Sequence, residues 1–143
     1  SLDAESLAAI VAIQVIEHLT VDEFVEFLRL AYEKLAPKGF VVLETINPTC
    51  VYAVSQWYWL DHGHRELLHP QLARFLLEQA GFANLRIRLL HPVPDDQRLL
   101  PIPEAGVTSM REAIRHINDD LSRLNEFLYG PQDYAVIAYK PEV

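Results

Sequence analysis

The stretch Leu7-Ala8-Ala9-Ile10-Val11-Ala12-Ile13-Gln14-Val15-Ile16, closed by Glu17-His18-Leu19, decides the fold. Its apolar residues run on without alternating with polar ones, and Ile and Val are frequent among them. A continuous β-branched run predicts a strand buried on both faces, as in a parallel sheet covered by helices. Thr20 and Glu23 follow with the T-x-x-E spacing of a capping box, so a helix starts there. Val21, Phe24, Val25, Leu28, Ala31, Tyr32 and Leu35 recur at helical spacing and predict its inner face. Pro37-Lys38-Gly39 stops the helix, with Gly39 suited to a left-handed turn. Phe40 to Leu43 reads as a second buried strand, ending in Glu44-Thr45-Ile46-Asn47-Pro48. Strand, helix and strand in this order make a right-handed βαβ unit.

Beyond it, Thr49 to Leu60 is uncharged and aromatic, and Asp61-His62-Gly63-His64 breaks the pattern. His69-Pro70 opens a second helix, with proline where a missing N–H costs nothing. Leu72, Phe75, Leu76 and Ala80 predict its inner face, and Gly81 ends it. In Leu85 to Leu90, Arg86 and Arg88 alternate with apolar residues, which predicts a strand with one wet face near a sheet edge. A proline-rich connection, His91 to Pro103, leads to a third helix. Ser109 and Glu112 offer it a capping box, and Ile114, Ile117, Leu121, Leu124 and Leu128 its inner face. Gly130-Pro131 closes that helix and Tyr134 to Tyr139 is a last strand. The order β-α-β-α-β-α-β describes a single layered α/β domain.

Composition narrows the function classes. The chain of 143 residues carries 12 Lys and Arg against 20 Asp and Glu, a formal net charge of −8. That balance disfavours broad binding to a phosphate backbone, so no nucleic-acid partner is expected. A single cysteine, Cys50, excludes an internal disulfide and fits a reducing compartment. No apolar run reaches the roughly 18 residues of a membrane span. The expected location is the cytoplasm.

In an open α/β sheet, ligands bind beyond the carboxyl ends of the parallel strands. That rule selects Gln14 to Thr20 and Glu44 to Pro48, where two apolar strands turn polar. Glu17 alone also reads as charge complementarity at a helix start, and His18 as a loop histidine. His62, His64 and His69 lie close together beside Asp61. No second cluster with ligand spacing supports them as a metal centre, so none is expected. Proton transfer suits them better, because an ordinary imidazole pKa of about 6.5 lies near neutrality. Trp57, Tyr58 and Trp59 read either as an aromatic wall for a substrate or as a lid packed on its own core. Glycine-rich phosphate loops, G-x-S-x-G and H-E-x-x-H are absent from the sequence.

Ala12-Ile13-Gln14-Val15-Ile16-Glu17-His18-Leu19 and, after a helix, Leu35-Ala36-Pro37-Lys38-Gly39-Phe40-Val41-Val42-Leu43-Glu44-Thr45 together resemble class I S-adenosylmethionine-dependent methyltransferases. The match is to their fourth strand with its E-H-L ending, fourth helix, L-x-P-x-G turn and fifth strand. Asn47-Pro48, Asp61 with His64, His69-Pro70, Glu78-Gln79-Ala80-Gly81-Phe82 and Gly130-Pro131-Gln132-Asp133-Tyr134-Ala135 resemble the branch found with bacterial surface-polysaccharide (O-antigen) assembly. The resemblance implies a three-layer Rossmann-like sheet from the fourth strand onward, the second half of the domain, with its last two strands an antiparallel pair. It also implies S-adenosylmethionine as cofactor where the N-terminal, cofactor-cradling half is present. Gln14, Val15, Ile16, Glu17 and His18 would line the methionine side of that cofactor. Glu44, Asn47, Asp61, His64 and His69 would face the acceptor, beside Trp57 and Tyr58.

The expected function is therefore methyl transfer to a small-molecule or saccharide-linked oxygen, with His64 or His69 as the base. The alternative is a non-catalytic α/β remnant that binds a partner or serves a structural role. A histidine-based metal hydrolase ranks behind both. By the same resemblance the first strand lacks its central neighbour, so Ala9 to Val15 present an unprotected apolar edge. A homodimer, or membership of a longer chain, is the expected consequence.

Overall fold

The computed structural model describes residues 2–104 and 108–142. Four strands, β1 (Leu7–Ile13), β2 (Leu35–Ile46), β3 (Ala83–Pro92) and β4 (Pro131–Tyr139), form one mixed sheet in the order β1-β2-β4-β3. β1 and β2 run parallel, whereas β4 is antiparallel to both β2 and β3. The helices are α1 (Val21–Lys34), a short α2 (Val51–Gln56), α3 (Pro70–Gln79) and α4 (Arg111–Leu128). The arginine-bearing strand β3 lies at a sheet edge, as its alternation predicts.

The main core joins one face of the sheet to α1 and α3. Phe24, Leu28 and Ala31 of α1 meet Val41 and Leu43 of β2, Tyr134, Val136 and Ala138 of β4, and Ala73 and Leu77 of α3. A smaller cluster of Ile46, Cys50, Ala53, Tyr58 and Val93 sits where β2 ends. Its Cys50 is wholly buried, and the Sγ accepts the Ala53 N–H at the start of α2. That placement gives the thiol a capping role.

Several expectations are corrected. β1 stops at Ile13, and Ile16–His18 is a short 3-10 turn. Nor is the strand buried on both faces: Ala12 is buried, but Val11 and Ile13 are more than half exposed. Ile10 and Ala12 face the core, whereas no described residue pairs along the outer edge of β1. In α3, Leu72 and Phe75 point outward, and Pro70, Ala73 and Leu77 are buried instead. Leu76 and Ala80 of the expected face are partly buried against the same core, so the contact stripe is rotated about the helix axis rather than replaced. The expected box at Ser109 and Glu112 does not form: Met110 holds the N-cap position, with no side-chain cap. Only Ile114 of the predicted α4 face is buried.

The Pro37-Lys38-Gly39 turn also differs from its expected form. The helix ends at Lys34 and β2 begins at once, pairing Leu35 with Leu7 and then Phe40 with Ala9. The intervening residues bulge out, and Lys38, not Gly39, takes the positive φ of 67°. Gly39 is required by space: a Cβ there would lie 2.8 Å from the Ala36 carbonyl oxygen and 3.0 Å from that of Ala8.

The Thr20 capping box forms in full. Thr20 Oγ1 accepts the Glu23 N–H, and a Glu23 carboxylate oxygen accepts the Thr20 N–H at 2.8 Å. Thr20→Ala is expected to lower stability by about 1 kcal/mol, read from urea unfolding. The same bond, chiefly the Thr20 backbone N–H, holds the Glu23 carboxyl below its ordinary range. Its contribution is present above the carboxyl's unfolded pKa and is lost as pH falls through the lower folded value. Thr20→Ala keeps that backbone N–H, so it is the stability gap between wild type and Glu23→Ala, which removes the carboxylate, that should narrow in acid.

Candidate functional site

The carboxyl ends of the parallel strands β1 and β2 open onto a cleft of about 540 Å³. Gln14, Glu17 and His18 line it from the β1 side, Ile46 from β2, and Gln132 and Asp133 from the start of β4. Trp57, Asp61 and His64 close it from the connection between α2 and α3. Gln14 leaves β1 with a φ of 53°, unusual for a side chain with a Cβ, while its N–H donates to the Glu44 carbonyl. That turn aims its Nε2 at Asp133 Oδ1, 2.9 Å away, and His91 Nδ1 lies 2.8 Å from the other Asp133 oxygen.

Glu17 lies at the bottom of the cleft and is 2% exposed. Its Oε2 accepts the Thr45 hydroxyl at 2.7 Å, a buried bond between the ends of the two parallel strands. Its Oε1 is buried without a hydrogen-bond partner. The His64 ring stands beside it, stacked on Tyr58 with centroids 5.0 Å apart and tilted against His18 at 4.8 Å. His64 Nδ1 is 2.6 Å from the Tyr58 carbonyl oxygen. A carbonyl only accepts, so Nδ1 carries the hydrogen and Nε2 is left as the atom that takes a proton or a cation. Nε2 lies 4.0 Å from both Glu17 Oε1 and Asp61 Oδ2. Asp61 Oδ1 accepts the Gly63 N–H at 2.7 Å, which holds its carboxyl below the usual range, with nearby histidines adding to the effect. A Cβ at position 63 would sit 2.9 Å from His18 Nδ1, so glycine lets this loop close over His18.

Of the residues singled out in the sequence, the cleft gathers Gln14, Glu17, His18, Trp57, Asp61 and His64. Trp57 donates its indole N–H to Gln132 Oε1 at 2.7 Å. The others have different surroundings. Val15 is exposed beside Leu19 and Phe27, and Ile16 is buried in the core. Glu44 is half-buried within β2. Asn47 is consumed by a turn, donating to the Pro131 carbonyl and accepting from the Thr49 N–H and hydroxyl. Tyr58 is buried beneath His64, and burial, aided by Glu66 and Glu17, pushes its phenol pKa up. His69 Nδ1 accepts the Gln71 N–H and caps α3. Gln132, Asp133 and His91 have no site role in the sequence reading, and Thr45 has one only as part of the segment Glu44 to Pro48. Gln132 and Asp133 carry a signal through the run Gly130-Pro131-Gln132-Asp133, which contributes to the family resemblance, whereas His91 carries none.

No metal-ligating group was expected from the histidine spacing around His62, His64 and His69. The fold instead assembles Glu17, His18 and His64, whose ligand atoms all lie within 4.8 Å of one another. His62 is exposed outside the cleft and His69 is engaged at the α3 cap, so neither takes part.

A mixed sheet with its cleft beyond two parallel strands and an E-H-L turn at its floor defines a class, and comparison with known proteins agrees. The chain belongs to the methyltransferase-domain family, whose model matches residues 3–87. It is similar to an S-adenosylmethionine-dependent methyltransferase from Archaeoglobus fulgidus, 33% identical, with a TM-score of 0.86 over 97% of this chain. The chain spans 62% of the length of that protein. Fold likeness extends to a complex of the Haloferax volcanii Trm112 methyltransferase activator with its putative methyltransferase, at 12% identity and TM-score 0.61, covering 99% of this chain and 57% of that one. It extends also to Haemonchus contortus phosphoethanolamine N-methyltransferase 2 in complex with S-adenosyl-L-methionine, at 14% identity and TM-score 0.57, covering 99% and 35%. No curated protein sequence matches. Among the described residues, no helix is long and apolar enough to cross a membrane.

Proposed function

We propose that the chain is the later half of a methyltransferase domain acting on a hydroxyl of a small molecule or a saccharide, with the cleft as the acceptor's side of the site. The observation that carries this reading is His64: its Nε2 is the basic atom facing the cleft, fixed by the Tyr58 carbonyl and flanked by two carboxylates. S-adenosylmethionine supplies an electrophilic methyl group, whose bond to sulfur breaks as the acceptor oxygen attacks it. The chain's own work is to hold that oxygen in line and to take its proton at Nε2 of His64. Asp61 and Glu17 then stabilise the imidazolium. His69, engaged at the helix cap, serves stability in this reading.

Gln14 and His18 are the side chains suited to the methionine end of the cofactor, because they border the cleft from the β1 side. Ile16 and Glu17 point inward and contribute through their backbone or through other groups. The half-domain reading is supported by the free outer edge of β1 and by the 62% span of the Archaeoglobus protein. We assign that edge to a further strand of a longer chain, or else to a second copy. A saccharide acceptor rests on the O-antigen resemblance of the later segments.

Calorimetric titration with S-adenosylmethionine tests the proposal, using the 143-residue chain and the product of its complete reading frame. Weak or absent binding to the former is expected, with one-to-one binding and methyl transfer by a longer product. Absence of binding by that product would refute the methyltransferase reading. Micromolar, one-to-one binding by the 143 residues alone would refute the half-domain reading.

A further inference from the structure

Glu17 Oε1 is a buried carboxylate oxygen with no hydrogen-bond partner, and it faces the free nitrogen of His64 at 4.0 Å. That separation is too long for a charge-assisted hydrogen bond, which spans about 2.7–2.9 Å. Oε1 is therefore poorly served by a proton on Nε2, yet it has surrendered its hydration. His18 completes a group of three ligand atoms lying within 4.8 Å of one another. The surroundings hold the ligands in coordinating form. The Tyr58 carbonyl fixes His64 as the tautomer with its Nε2 lone pair open, and Thr45 orients the Glu17 carboxylate through its other oxygen. Such outer bonds to a ligating histidine and carboxylate are the usual accompaniment of a metal site.

We infer that Glu17, His18 and His64 bind a divalent transition-metal ion of the zinc class at the floor of the cleft. Two imidazoles and one carboxylate suit such ions, and three protein ligands leave coordination positions open. A tetrahedral ion about 2.1 Å from each ligand brings them to about 3.4 Å apart. The Glu17–His64 pair, 4.0 Å apart, therefore closes by about 0.6 Å and no pair by more than about 1.4 Å, movements within the reach of side-chain rotation. The inference rests on the reading of the cleft as the acceptor site but gives His64 a second, alternative role there, since a metal-bound Nε2 has no lone pair left for the acceptor's proton. Glu17, His18 and His64 would hold the ion, and the chemistry it would supply there is Lewis-acid polarisation of an oxygen of the acceptor.

The test is metal binding by the full chain without cofactor or acceptor, so its failure is separate from failure of the methyl-transfer reading. Cobalt(II) is titrated and followed by its visible absorption, and zinc(II) by calorimetry and by the melting temperature. One-to-one binding that raises the melting temperature is expected, weakened at least tenfold in His18→Ala, His64→Ala and Glu17→Gln and unchanged in His62→Ala. The His18 side chain makes no hydrogen bond among the described residues, and its backbone N–H bond to the Val15 carbonyl survives in alanine, so His18→Ala keeps the test sound if a buried variant fails to fold. Absent binding, or affinity unaltered in the three ligand variants, would overturn the inference. Equal loss in His62→Ala would overturn it as well, by showing non-specific capture by surface histidines.

Discussion

Replacing His64 with alanine is expected to slow methyl transfer to a hydroxyl acceptor by about 10²–10⁴-fold, the usual contribution of a positioned acid–base group. Affinity for S-adenosylmethionine should change little, because His64 enters from the connection between α2 and α3 while Gln14 and His18 enter from the end of β1. The measurement is single-turnover transfer of a labelled methyl group by the full reading-frame product, beside cofactor titration and thermal melting. His62→Ala is the control: it lies in the same loop but is exposed and does not line the cleft. His69→Ala should instead lower the melting temperature by removing the α3 cap while leaving transfer largely intact. Full transfer by folded His64→Ala would remove the imidazole from the chemistry.

The second large effect is in the core. Phe24→Ala is expected to cost about 3–5 kcal/mol, since the ring is 2% exposed inside the main cluster and truncation leaves a cavity. Phe75→Ala is expected to lie within about 1 kcal/mol of wild type, because more than half of that side chain faces outward. Urea unfolding of the two variants separates them. Both phenylalanines lie on apolar stripes at helical spacing. In α1 the stripe is anchored by the capping box, and its most deeply buried members, Phe24, Leu28 and Ala31, follow the predicted face. In α3 the spacing admits two neighbouring stripes. The sheet accepts the one centred on Ala73 and Leu77, with Leu76 and Ala80 at its margin and Leu72 and Phe75 outside it.

The candidate site divides in the same way. Its β1 floor was legible, since Gln14, Glu17 and His18 stand where an apolar strand turns polar and where E-H-L signals the family. Asp61 and His64 were legible as types suited to proton transfer. The choice between His64 and His69 was not, because one imidazole faces a buried carboxylate and the other an N–H of its own helix.

The sequence by itself determined the α/β class, the βαβ unit, the edge position of β3, the capped start of α1 and the family. Each depends on local periodicity, on a cap within four residues, or on a contiguous motif. Only the tertiary structure decided that β1 has one covered face, that Lys38 and not Gly39 takes the left-handed turn, and that Asn47 belongs to a turn. It alone brought His64 and Thr45 to Glu17. The physical reason is common to all of these: burial, desolvation and ligand geometry depend on which distant segments share a space, and that is set by the pairing and packing of the sheet.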